Sequence, residues 1–222
     1  MITDNNQQVT LLEVRELTYS ILSSAFLNPP SMDEVNIILE EKLFESFPLE
    51  IEAEHFRQGL NQLCQWAREI TENNKSEIIT QLKEDFNTLF VGPNKLPAPP
   101  WESVYRTEEK LVFDAITLDV REFYRRHGLE FVKINVQPDD HFGVELEFMA
   151  ELIRRQRKNL ELVQYEEARQ LADEQLAFLR EHLIKWASKF TQAVMSNAQT
   201  EYYQGIARIA SAYIKWDFEL LQ

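Results

Sequence analysis

Asp139-Asp140-His141 is the part of the chain whose residue types could do chemistry, standing between Pro138 and the apolar run Phe142-Gly143-Val144-Glu145-Leu146-Glu147-Phe148-Met149-Ala150. Two carboxylates beside an imidazole suit two kinds of chemistry. They could act as acid and base in a hydrolase, or they could hold a guanidinium, whose planar donors match a carboxylate two at a time. At a helix start, one aspartate is expected to cap unpaired backbone N–H groups, where the helix dipole also favours negative charge. The other aspartate and His141 are then left to face a ligand. His141 would titrate around the unperturbed histidine pKa of about 6.5 and make ligand affinity vary with pH. Glu145 and Glu147 lie two apart, so on a helix they leave different faces and make a poor acid–base pair.

A second segment lies some forty residues upstream. It reads Leu89-Phe90-Val91-Gly92-Pro93-Asn94-Lys95-Leu96-Pro97-Ala98-Pro99-Pro100-Trp101-Glu102-Ser103-Val104-Tyr105, and four of the chain's 8 prolines fall within it. Each proline fixes φ and removes a backbone donor, so the segment is a stiff extended loop rather than helix or sheet interior. A loop ordered in advance loses little entropy when something docks on it. Core burial is the plain reading for Leu89, and a connector capped by Trp101 is the plain reading for the loop. A tryptophan half-exposed on a rigid loop is, alternatively, the kind of anchor that dominates peptide binding.

The two segments together, in this order and spacing, resemble the TorD/DmsD family of cytoplasmic chaperones for molybdenum-containing redox enzymes, in particular its DmsD-like members. The resemblance covers about Leu82 to Ala150. Leu82 itself stands where the family often has a glutamate, four residues before the aromatic Phe86. The resemblance implies an all-helical binding protein, not an enzyme, with no cofactor of its own. Its partners would be the twin-arginine leader and the apo form of a DMSO- or TMAO-reductase-type client, held for cofactor insertion and proofreading before export. The Tat export machinery is a further candidate partner. The implied peptide-binding residues are Phe86, Leu89, Phe90, Pro97, Pro100, Trp101, Tyr105, Pro138, Asp139, Asp140 and His141.

Other chemistries find little to build on. A di-iron bundle needs two Glu-x-x-His motifs, and the chain has one, Glu52-Ala53-Glu54-His55. The four histidines, at 55, 127, 141 and 182, include no i, i+4 pair, and no phosphate loop or nucleophile elbow occurs. No metal or catalytic residue is therefore assigned. Cys64, the single cysteine, excludes an internal disulfide and reads as a small core residue in a reducing compartment. Arg154-Arg155-Gln156-Arg157-Lys158 reads as a solvated helix face rather than an anion site. A hydrolase using His141 with nearby carboxylates and a helical adaptor remain the rival functions.

The elements that must position these residues are helical. In 222 residues, 44% are hydrophobic and only 5 are glycine, which fits a helix-rich globule. The expectation is an all-α fold of about eight to ten helices: a single domain with an N-terminal lobe of about 1–128, a linker over 129–138 and a C-terminal lobe over 139–222. The thin linker would allow either a monomer or a dimer that swaps the C-terminal half. The first helix should stop at Asn28-Pro29-Pro30, and Ser31-Met32-Asp33-Glu34 has capping-box spacing for a second running to about Phe47. Helices should follow over about Ile51–Glu72 and Ser76–Phe90. Thr107 is placed to cap another ending near His127 and Gly128, and Asp139-Asp140 to open one reaching about Leu162. The polar N-terminus lacks a signal-peptide pattern, and the longest uncharged run, Leu17 to Met32, contains Pro29-Pro30. A soluble cytoplasmic protein is expected. A net charge of −14 opposes nucleic acid and favours a basic partner.

Overall fold

The computed structural model describes residues 5–107, 115–130 and 138–222, which are helical apart from turns, loops and one isolated antiparallel bridge. Helix α1 (Asn5–Leu27) stops where the two prolines begin. Ser31 starts α2 (Met32–Glu40) through a reciprocal cap: its hydroxyl accepts from Glu34 N at 3.2 Å while the Glu34 carboxylate accepts from Ser31 N at 2.7 Å. This helix falls short of the expected Phe47. Lys42 adopts a left-handed φ of 49°, and the Ser46 hydroxyl donates to the carbonyls of Glu41 and Lys42, which the helix would otherwise use. Next come α3 (Glu54–Glu69) and α4 (Lys75–Phe86). The latter continues as a π-helical turn, Asn87–Val91, closed by Gly92, whose φ of 98° suits glycine and whose N–H donates to Asn87 O at 2.9 Å.

Beyond the proline loop lie α5 (Glu102–Arg106), α6 (Ala115–Arg126), α7 (Phe142–Glu161) and α8 (Tyr165–Phe178). A second π-helical turn, Leu179–Leu183, leads into α9 (Ile184–Asn197), and α10 (Glu201–Leu220) follows. Thr107 closes α5, its N–H and hydroxyl both donating to Ser103 O, at 3.1 and 2.8 Å; the helix start expected after it lies outside the described residues. Gly128 does end α6. Its φ is 66°, and Leu129 N reaches back to Tyr124 O at 2.9 Å, the bond that closes a Schellman cap. The linker expected over 129–138 falls mostly on 131–137, outside the described residues.

The helices pack as two compact units. One comprises residues 1–24, 101–186 and 217–222, the other 25–100 and 187–216. The first has an aromatic centre in which Phe148 meets Tyr124 and Phe178 at ring distances of 4.7 and 4.8 Å. Beside it, Arg15 is sealed from water and donates to both oxygens of Asp217, at 2.6 and 3.0 Å, and to Gln175 Oε1 at 2.8 Å. Tyr19 donates its hydroxyl to the same aspartate at 2.8 Å. Two desolvated charges recover their lost hydration only through such bonds, so the pair depends on its neighbours.

The second unit is built around Phe26, Phe86, Phe90, Phe190 and Tyr203, whose rings meet edge-on or tilted. There α3 and α10 approach at Gly59 and Gly205; a Cβ on Gly59 would lie 2.9 Å from Gly205 O, so only glycine lets the backbones come this close. Asp85, reaching from α4, accepts from Gln199 N, Thr200 N and the Thr200 hydroxyl at 3.0, 2.8 and 2.7 Å and so caps the start of α10.

Candidate functional site

Five of the expected site residues lie in the second unit. Phe86, Leu89 and Phe90 are buried in its core, where Phe86 and Phe90 pack edge-on at 5.2 Å. The prolines divide: Pro97 is exposed, whereas Pro100 is buried. Leu82, at the position where a glutamate is common, is buried, as a leucine there should be.

The other six lie in the first unit, where the two motif segments are joined. Trp101 and His141 form the isolated antiparallel bridge, Glu102 N donates to Asp140 O at 3.0 Å, and Ser103 N donates to Asp140 Oδ2 at 2.9 Å. Helix α5 thus begins on the Asp140 carboxylate, whose other oxygen accepts the Thr117 hydroxyl from α6 at 2.9 Å. Asp139 is held from α6 as well. Arg121 donates twice to its Oδ2, at 2.9 and 2.7 Å, and the Tyr124 hydroxyl donates to its carbonyl at 3.0 Å.

Neither aspartate caps α7. That place is taken by His141, whose Nδ1 accepts from Gly143 N at 3.1 Å. Pro138, Asp139, Asp140 and His141 are all buried, so the two side chains expected to face a ligand are turned inward and bonded. Trp101 and Tyr105 are half-buried, and Tyr105 packs tilted against Trp186 at 5.5 Å with the rings 33° apart.

Burial sets the electrostatics. It pushes the His141 pKa down to about 3, so the ring is neutral at physiological pH, contrary to a titration near 6.5. Burial also raises Asp140, opposed by its bonds to Ser103 and Thr117. Glu145, on α7, is raised well above the ordinary carboxylate value, first by burial and then by the charges of Glu102 and Asp140.

Sequence reasoning missed further partners of this junction. Glu102, fully buried, forms an ion pair with Arg106 and contacts His182 Nδ1 through its Oε2 at 2.8 Å. Trp186, one turn beyond His182, donates Nε1 to Glu145 Oε2 at 3.1 Å. The available signals were a glutamate inside an otherwise apolar motif and a histidine and tryptophan spaced i, i+4. Glu147 is exposed while Glu145 is buried, as their spacing required, and a fully buried histidine committed to a helix cap offers a hydrolase no accessible base. Among the described residues no group of three His, Cys, Asp or Glu side chains could hold a metal ion, and no helix is long and apolar enough to cross a membrane.

Comparison with known proteins supplies the context. Residues 51–192 match the family described as nitrate reductase delta subunit. The chain is 30% identical over 140 residues to the probable Tat proofreading chaperone DmsD of Haemophilus influenzae, covering 63% of this chain and 62% of that protein. It is 31% identical over 141 residues to the Tat proofreading chaperone DmsD of Salmonella typhimurium, with the same coverage of 63% and 62%. With the chaperone protein TorD of Photobacterium profundum it shares 28% identity over 169 residues, 76% of this chain and 72% of that one. The matches to the DmsD proteins thus span 62% of those relatives' own length.

Proposed function

The chain belongs to the nitrate reductase delta subunit family, as a TorD/DmsD-type member, and we propose that it is a cytoplasmic chaperone for a molybdenum oxidoreductase of the DMSO or TMAO reductase type. On this reading it binds the client's twin-arginine leader and apo form, assists cofactor insertion, and releases the client to the Tat export machinery. It works by binding, not by catalysis, and carries no cofactor of its own.

The observation that supports this reading best is the joining of the two motif segments through Asp140, which fixes the start of α5 and with it Trp101 and Tyr105. A leader presents paired arginines followed by an apolar tract. The half-buried Trp101 and Tyr105 offer that tract a rigid aromatic platform. Asp139, Asp140 and His141 contribute by holding the platform from behind. A carboxylate that does reach solvent, Asp119 on α6, lies 3.8 Å from His182 Nε2 and is the group in this unit we assign to a leader arginine. The net charge of −14 draws the basic leader in from a distance.

Titration calorimetry with a synthetic leader carrying Arg-Arg and an apolar tract tests this. The folded protein should bind it, and Trp101→Ala should weaken binding by about 2 kcal/mol or more with a smaller change in thermal stability. Added salt should weaken the arginine contribution and leave the tryptophan contribution nearly unchanged. Absence of leader binding by the folded protein overturns the reading. Full affinity in a folded Trp101→Ala variant overturns the platform.

A further inference from the structure

The junction contains two buried acids, and the charge of one acts on the other. Glu102 on α5 and Glu145 on α7 are each fully buried. Glu102 is satisfied on both oxygens, by Arg106 and by His182. Glu145 is not: Trp186 Nε1 serves its Oε2, while its buried Oε1 meets no donor. Its neighbour in the junction is the Glu102 carboxylate, whose charge acts on it. Two carboxylates are both acceptors, so they can hydrogen-bond to each other only when one of them carries a proton. Glu102 has both oxygens paired with nitrogen groups, Arg106 and His182, whereas Glu145 has one such partner, Trp186. The proton therefore belongs to Glu145.

We propose that Glu145 and Glu102 share one proton that locks the junction of the two motif segments, and that losing it as pH rises loosens α5 and the aromatic platform it carries. This deepens the proposed function and rests on it where leader binding is concerned. The charged and titratable groups around the pair come from each neighbouring element: Arg106 from α5, Asp119, Arg121 and Tyr124 from α6, Asp139 and Asp140 from the turn before α7, and His182 from the second π turn. Around Glu145, the Glu102 and Asp140 charges add to burial in disfavouring a second charge, and the indole N–H of Trp186 alone opposes them. The released proton passes to solvent, and Glu145 is then a second buried anion against Glu102.

The sign follows from burial. Glu145 binds its proton more tightly folded than unfolded, so stability should fall as pH climbs from the ordinary carboxylate range through its raised value. Glu145→Gln should remove that loss, because an amide donates to Glu102 and accepts from Trp186 at every pH. The direct readout is the indole N–H resonance of Trp186, assigned by its disappearance in Trp186→Phe. It should titrate in the native protein and hold still in Glu145→Gln. Leader affinity should fall up to about tenfold per pH unit above the same midpoint in the native protein and stay level in the variant.

A Trp186 resonance that does not titrate between the carboxylate range and pH 10 overturns the lock. So does a titration that persists in Glu145→Gln. Should that variant not fold, Glu102→Gln gives the same test from the other side, because removing the Glu102 charge must shift the Trp186 midpoint downward; an unmoved midpoint overturns the proposal. A protein that shows the Trp186 titration but never binds a leader keeps the lock and loses the chaperone reading.

Discussion

The proline loop and the Pro138–His141 turn carry the two halves of one family signature, yet they are built in opposite ways. From Val91 to Pro97 the chain is largely exposed, its path fixed by proline rings and by the left-handed Gly92. From Pro138 to His141 every residue is buried, and the Asp139, Asp140 and His141 side chains each have a partner in this unit. One segment is stiff by covalent restriction and needs few neighbours. The other is stiff because its neighbours hold it. A residue type that looks functional by its chemistry can therefore serve function from inside, by fixing what lies at the surface.

The largest expected effect lies in the buried turn. Asp140→Ala removes the acceptor of both Ser103 N and the Thr117 hydroxyl, leaving two donors in a dry site. The cost should be on the order of 3 kcal/mol in urea unfolding, and leader affinity should fall with it because α5 loses its anchor. A loss below about 1 kcal/mol would erase the contrast and return Asp140 to the list of direct ligand contacts.

His141 should give an effect of middle size with a distinctive pH signature. As the cap of α7 it accepts one backbone bond, and His141→Ala should cost about 1 kcal/mol at pH 8. Its pKa is held near 3 by burial against about 6.5 unfolded, so the native protein loses stability as pH falls from about 6.5 towards 3. The variant should lack that part of the acid loss, so the two stability curves converge on acidification. Curves that stay parallel would mean the ring is free to take up its proton while folded.

Much of this architecture can be read from the chain, and the exceptions share a cause. Ser31 and Glu34 make their capping box, and Gly128 closes α6, because both signals act within six residues. The end of α2 escapes, since it depends on Lys42, a residue with no intrinsic preference for a left-handed φ. Asp139 and Asp140 stand out by residue type, but their inward orientation depends on Arg121 and Thr117, which lie 18 and 23 residues away. Glu102 and Glu145 meet His182 and Trp186 across 80 and 41 residues. Residue type and local spacing carry the motif; which side chains face solvent is decided by partners that only the packing of α5, α6, α7 and α9 brings near.

The smallest effect should come from the proline loop. Pro97 is exposed, so the main effect of Pro97→Ala is to remove a covalent restriction. Unfolding should become easier by no more than about 0.4–1 kcal/mol, the entropy that a compatible proline withholds from the unfolded chain. Any change in leader affinity should stay within the same range, reflecting a loop that must be ordered on binding rather than a lost contact. Affinity and stability should fall by similar small amounts, whereas Asp140→Ala costs several times more of both. A loss above about 2 kcal/mol in stability would place Pro97 among packed residues and make the loop a second version of the buried turn. A loss of that size in affinity alone would instead make Pro97 a contact in its own right, with surface shape rather than stiffness as the loop's contribution.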